Sequence, residues 1–212
     1  MNILHVCANP KPTEESVSKQ LAVQFFSALV AKNAEVEIQN LDLYQTPPPF
    51  LSYDAFRGAW NPVFVEGYRA TEKEVAALNY AEKQGELFNA ADVLVVTTPM
   101  WNFSLPAILK AWLDQILTPG VTFSLERDGP RPLHHIRKAV LLVAPGGTYK
   151  EDDPRDALTM QFRAAVGFIG ISEVDIAWAD GQNPLFFADS AQRKQLAVEA
   201  AQEIAEEVAE MD

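Results

Sequence analysis

The run Pro99-Met100-Trp101-Asn102-Phe103-Ser104-Leu105-Pro106 combines large apolar side chains with a carboxamide and closes on a proline. Met100, Trp101 and Phe103 offer apolar area to a ring, while the Asn102 amide and the loop N–H groups can meet a polar ring edge. Near the N-terminus, Ser16, Val17 and Ser18 begin an amphipathic segment. Hydroxyls and free N–H groups there meet the positive end of a helix dipole, which makes an anion site. Further on, Ala144-Pro145-Gly146-Gly147 ends an apolar run, and paired glycines permit a close ligand approach that a β-carbon hinders. Tyr149 follows; with an ordinary pKa of about 10 it is a hydrogen-bond or proton donor and a poor base at neutral pH.

Each feature also has a plainer explanation. Serines cap many helices, single aromatics usually belong to cores, Gly-Gly serves tight turns without ligands, and Tyr149 suits an exposed loop. His134-His135 carries no metal expectation, because adjacent residues in one loop rarely converge on one ion and no further ligands stand at a familiar spacing. His5 alternates within an apolar strand and reads as packed. Cys7, the single cysteine, reads as a small buried hydrophobe in that strand; it excludes an internal disulfide and fits a reducing compartment.

The elements that must position these residues alternate between strand and helix. Ile3-Leu4-His5-Val6-Cys7 predicts a first strand, and Val17, Leu21, Phe25 and Leu29 at four-residue spacing predict the helix after it. Val36 and Ile38 mark a short second strand; Thr46-Pro47-Pro48-Pro49 then breaks regular structure, and residues 46–70 are expected to form a long loop insertion. Thr71 and Glu74 have capping-box spacing ahead of a helix carrying Val75, Leu78, Leu87 and Phe88. The apolar run Val93-Leu94-Val95-Val96-Thr97-Thr98 is the central strand, and Pro106 opens a helix over residues 106–117. Strands at Ala139-Val140-Leu141-Leu142-Val143 and Val174-Asp175-Ile176-Ala177-Trp178 flank a helix over 156–166 that stops at glycine, and a last helix spans 189–210.

Five strands separated by helices, joined by right-handed crossovers, predict an α/β fold: a doubly wound, five-stranded parallel sheet in the flavodoxin-like order 2-1-3-4-5 with helices on both faces. No repeat or long linker divides the chain, so residues 1–212 are expected to form one domain. In this topology the loops after strands one, three and four meet at one sheet edge. Residues 9–18, 100–103 and 144–147 should therefore make one pocket.

Several of these segments together resemble the FMN-dependent NAD(P)H azoreductase and quinone reductase family. The 99–106 run looks like that family's flavin loop, and Gly120-Val121-Thr122-Phe123, Asp128-Gly129-Pro130, Ala144-Pro145-Gly146-Gly147 and Gly167-Phe168-Ile169-Gly170 follow in the family's order. The resemblance implies bound FMN, with Ser16, Val17 and Ser18 at the phosphate, Met100, Trp101, Asn102 and Phe103 at the ring, and the 144–147 loop beside the flavin pyrimidine. Three positions depart from the pattern. Asn9-Pro10 stands in place of a serine pair, and Pro10 has no backbone donor. Trp101 stands where tyrosine is common, keeping the stacking area without the phenol. Pro145 replaces a common arginine. Tyr149 lies where relatives carry histidine or tyrosine near flavin and substrate.

Composition bounds the remaining classes. The 212 residues are 48% hydrophobic, with no apolar run of membrane-helix length. Seventeen basic against 29 acidic residues give a net charge of −12, which opposes nucleic acids and anionic membrane surfaces as partners. The start Met1-Asn2-Ile3-Leu4 enters a strand with no secretory signal pattern, and a cytoplasmic location is expected. The sequence contains no G-x-G-x-x-G after a strand, no P-loop and no G-x-S-x-G elbow, so no separate nicotinamide domain is expected.

The expected activity is an FMN-dependent NAD(P)H:quinone oxidoreductase with azoreductase activity. NADH or NADPH reduces FMN and leaves, and a quinone, azo or nitroaromatic oxidant takes the same face in ping-pong fashion. With the sequence ending at Asp212, the extra domain of longer FAD-dependent quinone reductases is not expected, and FMN is the expected flavin. The resemblance further implies a homodimer, with residues 46–70 and the aromatics Phe56, Trp60 and Phe64 covering the partner's pocket. From another class, a flavin-binding redox sensor or partner-binding module would bind flavin without turnover. A flavodoxin-type electron carrier would need a Thr/Ser-rich phosphate loop with an embedded glycine, which is missing here.

Overall fold

The computed structural model describes residues 1–150 and 152–211. Its main sheet has five parallel strands in the spatial order β2-β1-β3-β6-β7. These are β1 (Asn2–Cys7), β2 (Glu37–Asp42), β3 (Val93–Pro99), β6 (Lys138–Ala144) and β7 (Glu173–Trp178). Counted among themselves, they follow the expected 2-1-3-4-5 order. Two further strands, β4 (Phe123–Glu126) and β5 (Gly129–Pro132), form a separate antiparallel hairpin, so the expected five strands omit two.

Alternation along the strands divides the core in two, because successive side chains leave opposite sheet faces. Leu94 and Val96 of β3, with Ala139, Leu141 and Val143 of β6, face α3 (Glu72–Asn89), α4 (Ala107–Ile116) and α5 (Ala157–Phe168) through Phe88, Leu109, Trp112, Leu158 and Phe162. Val93, Val95, Val140 and Leu142 face α1 (Val17–Lys32) and α6 (Ser190–Ala209) through Leu21, Phe25, Leu29, Ala197, Ala201 and Ala205. The four-residue spacing of the three alanines gives α6 a smooth stripe for close packing. Trp112 is fully buried, and its indole N–H donates to Gln84 Oε1 at 3.0 Å, so the core keeps no unpaired indole donor.

The Thr71–Glu74 capping box forms as the spacing predicts: the Thr71 hydroxyl accepts from Glu74 N–H, and the Glu74 carboxylate accepts from Thr71 N–H at 2.8 Å. The expected helix at 156–166 continues through Gly167 to Phe168. The main correction concerns residues 46–70, where helix α2 (Tyr53–Phe64) occupies half of the expected loop, capped by the Ser52 hydroxyl. Tyr68 O–H donates to Glu74, Arg57 pairs with Glu74 at 3.0 Å, and a β-carbon on Gly58 would stand only 3.1 Å from the Glu74 carbonyl. Close approach and this buried carboxylate fasten α2 to α3. Phe56, Trp60 and Phe64 keep the four-residue spacing of a helix, but the three prolines before the segment and Gly58 and Pro62 within it argue locally against one.

Candidate functional site

The carboxyl ends of β1, β3 and β6 open onto a cleft of about 350 Å³, within the roughly 300–1,000 Å³ typical of small-molecule sites. It is lined by Asn9, Ser16, Val17, Ser18, Met100, Trp101, Ala144 and Gly146, all expected from sequence. Pro10, Asn102, Phe103, Pro145 and Gly147 belong to the same loops without lining the cleft, and Tyr149 lines a neighbouring one with Met160 and Trp178. Lys11, Glu15, Pro99 and Gln182 complete the lining. Lys11 and Glu15 lie inside the expected 9–18 segment and Pro99 opens the 99–106 run, whereas Gln182 was not expected from sequence. Gln182 follows β7, whose loop the same strand-end rule would have included.

The first loop is organised around Asn9. Its side-chain N–H groups donate to Ser16 Oγ at 2.7 Å and Ser18 Oγ at 3.1 Å, and its carbonyl accepts from Lys11 N–H. All three polar side chains are buried. Ser16 is also the N-cap of α1, accepting from Lys19 N–H at 3.2 Å. The capping explanation and the anion explanation thus apply to one residue at once. The N–H groups of Val17 and Ser18 lie in the first helical turn and have no carbonyl one turn back within the helix, so the cleft presents donors and a helix N-terminus to an anion, with the charges of Lys11 and Glu15 in the lining opposing each other.

In the second loop, Trp101 and Ser104 exchange backbone hydrogen bonds at 3.2 and 3.1 Å around Asn102 and Phe103, whose φ angles are 49° and 69°. Positive φ at both central residues marks a type I′ turn, normally given to Asn and Gly. A phenylalanine there stores strain of about 1–3 kcal/mol, the kind of cost retained at functional loops. The turn is held in place because Phe103 C=O accepts from Ala157 N–H at 3.0 Å, and Ser104 meets Gln161 at 3.1 Å. Trp101 and Phe103 remain exposed, while Met100 is buried beneath them.

The third loop works through its backbone. The carbonyls of Pro145, Gly146 and Gly147 accept from the N–H groups of Gln182, Asn183 and Gly181 at 3.2, 3.2 and 2.8 Å. A planar trans peptide aims its N–H opposite to its C=O. The N–H groups of Gly146, Gly147 and Thr148 therefore face away from the β7–α6 loop, and they donate to no acceptor among the described residues. Neither Gly146 nor Gly147 adopts positive φ, so close approach, not unusual dihedrals, is what glycine supplies here. A β-carbon on Gly146 would meet no protein atom within 4 Å, leaving open space where the residue borders the cleft.

Tyr149 packs edge-to-face on Trp178 at 5.8 Å, with the Arg155 guanidinium 5.2 Å from its ring centre. Burial pushes its phenol above the ordinary value, and Arg155 opposes the shift, so it stays a protonated donor at neutral pH. Cys7 is buried with its thiol pushed up by desolvation, which removes nucleophilic character. His5, half-buried and bonded to Asn40 and Thr97, has its pKa lowered by desolvation. No cluster of three metal-ligating side chains occurs among the described residues. Among the described residues, no helix is long and apolar enough to cross a membrane.

The geometry amounts to an anion cradle, an aromatic wall and the unpaired Gly146 amide on one cleft, with the unpaired amides of Gly147 and Thr148 in the adjoining turn. FMN fits this donor set: a phosphate for the α1 N-terminus, a planar ring for Trp101, and carbonyl oxygens for the glycine amides.

The sequence profile of the flavodoxin-like fold family matches residues 1–207. The chain is 38% identical over 181 residues to an FMN-dependent NADH:quinone oxidoreductase of Exiguobacterium sp., covering 85% of this chain and 84% of that one. It is 41% identical over 171 residues to an FMN-dependent NADH:quinone oxidoreductase of Azotobacter vinelandii, covering 80% and 83%. Among solved structures, azoreductase AzrA superposes with a TM-score of 0.86 at 27% identity, covering 98% of this chain and all of that one. An azoreductase from Bacillus anthracis gives the same TM-score and identity, covering 97% and 99%.

Proposed function

The chain belongs to the flavodoxin-like fold family and stands with its FMN-dependent NADH:quinone oxidoreductases, and on that premise we propose that it passes two electrons from NADH to a quinone through FMN held in the three-loop cleft. The observation that carries this reading is the convergence of an anion-binding helix start, an aromatic loop and unpaired glycine-loop amides on one cleft. Bound FMN supplies hydride acceptance from NADH and two-electron delivery to the oxidant in two successive half-reactions at one face.

The protein's own part is positional. Ser16, Ser18 and the first-turn amides of α1 hold the phosphate, and Asn9 orients the two hydroxyls toward it. Met100 and Trp101 form one wall for the ring, and the strained 101–104 turn sets the direction of Asn102 and Phe103 at its edge. The amides of Gly146 and Gly147 donate where negative charge grows on reduction, an electrostatic arrangement that needs no movement during the reaction. Tyr149, which lines the neighbouring pocket, supplies a proton donor, its phenol protonated throughout the neutral range.

One 1–212 domain carries all of these groups, and the assembly is a homodimer. In α2 the rings of Phe56, Trp60 and Phe64 stack in one row, with centroids 6.2 and 5.9 Å apart. Phe56 and Phe64 are exposed, an apolar stripe that favours burial against a second copy. A cytoplasmic location agrees with a single free, buried cysteine and with the nicotinamide supply the reaction requires. NADPH serves as an alternative reductant, and azo and nitroaromatic compounds as alternative oxidants. Steady-state NADH oxidation with varied benzoquinone tests the mechanism: parallel double-reciprocal lines, dependent on added FMN, are expected. Intersecting lines would refute the two-step use of one face.

A further inference from the structure

The loop after β7 is tied to the glycine turn by a buried carboxylate. Asp180 is only 9% exposed. Its Oδ2 accepts from Tyr149 N–H at 3.2 Å, and its Oδ1 accepts from Arg193 Nη1 at 2.9 Å. Arg193 reaches back from the first turn of α6 and also bonds Asp189 at 2.9 Å. Its stem lies against Gly181, where a β-carbon would come within 2.9 Å of Arg193 Cδ and 3.2 Å of Thr148. At φ 61° Gly181 is thereby held between α6 and the turn, and its N–H reaches the Gly147 carbonyl. The Asp180 carbonyl accepts from the side chain of Gln182, which lines the cleft.

We infer that Asp180 and Arg193 are positioning residues that lock the β7–α6 loop onto the glycine turn and so aim the unpaired amides of Gly146 and Gly147 at bound flavin. This rests on the FMN reading above. The physical reason is that a turn of two glycines has much conformational freedom to lose. Hydrogen bonds from neutral loop amides alone order it weakly, whereas a buried carboxylate shared between Tyr149 N–H and a guanidinium provides stronger, charge-assisted anchoring. Loosening the latch should weaken binding of both flavin oxidation states, the reduced form more, because its added charge depends most on the donors.

The test uses the full chain with Asp180→Ala, Asp180→Asn and Arg193→Met. Three quantities are read: FMN affinity by fluorescence titration, midpoint potential of the bound flavin, and amide exchange over residues 145–149 in FMN-free protein. Asp180→Ala should weaken oxidised FMN about tenfold and reduced FMN a further tenfold, a potential lower by about 30 mV for a two-electron couple. Exchange at Tyr149 should accelerate. Asp180→Asn should recover part of each effect, since its amide oxygen can still accept from Tyr149 N–H. If Asp180→Ala does not fold, Arg193→Met carries the test with changes in the same direction. Folded variants with wild-type FMN affinity and potential, whatever their melting temperature, would overturn the inference. Wild-type protein that binds no FMN would instead overturn the flavin reading, and this inference with it.

Discussion

Replacing Gly146 by valine separates the fold's needs from those of a bound cofactor. Gly146 has no positive φ to preserve, and its β-carbon direction is free of protein atoms within 4 Å. In FMN-free protein the substitution should cost no contact, and restricting a glycine in the unfolded chain stabilises the fold by about 0.4–1 kcal/mol. The melting temperature without FMN should therefore hold or rise slightly. With FMN present the added methyl groups compete for the space beside Ala144 and Met100. Overpacking of that kind costs about 1–3 kcal/mol, and with each 1.4 kcal/mol worth about tenfold in affinity, FMN should bind roughly 5- to 150-fold more weakly. Fluorescence titration and a thermal melt on the same preparation read both quantities. Gly147→Ala is the internal comparison, because its β-carbon would only touch the Tyr149 ring at an ordinary 3.6 Å; its effect on FMN should be smaller. Unchanged FMN affinity in Gly146→Val would refute the placement of the flavin, and a collapsed melt without FMN would refute the claim of open space.

Ser18→Ala should weaken FMN at least tenfold, since a hydrogen bond to a charged group is worth about 1.5–3 kcal/mol, and leave riboflavin, which has no phosphate, unaffected; equal losses for both would remove the phosphate from this loop. His5 and His134 are both held below the ordinary value of 6.5, chiefly by burial. The unfolded chain therefore binds protons that the fold refuses: stability is full above about pH 6.5 and declines as pH falls below it. Melting temperatures in a pH series should show that decline, and a flatter series is expected for His5→Gln; an identical slope would remove His5 from it. Phe64→Asp places a charge at the end of the stacked α2 row; if the proposed homodimer uses that face, the wild type should sediment as a dimer and the variant as a monomer in analytical ultracentrifugation. A Phe64→Asp protein that sediments as the wild type would take that face out of the interface.

The parallel sheet was legible because its central strands, β3 and β6, are near-continuous apolar runs. The run Val93–Pro99 is buried at every position, and such apolar strands between helices admit few arrangements. Ser16, Met100 and Gly146 converge because the topology brings the ends of β1, β3 and β6 to one edge, so their meeting was also legible. Helix α2 was not. It follows three prolines, contains Gly58 and Pro62, and is stabilised by Glu74 on another helix, a contact distant in sequence. The β4–β5 hairpin was missed because Asp128-Gly129, a local turn signal, served only as a point of resemblance. Asp180 and Gln182 lie in the loop after β7, which the strand-end rule reaches, but their bonds to Tyr149 and Pro145 span more than thirty positions and no spacing rule reveals them.

The most direct measurement is an anaerobic visible spectrum of the purified protein loaded with FMN, taken after NADH and again after a benzoquinone. Bleaching of the flavin band by NADH and its full return with quinone are predicted, because one cleft is to serve donor and acceptor in turn. A well-folded protein that retains no FMN, or bound FMN that neither NADH nor NADPH bleaches, would contradict the account.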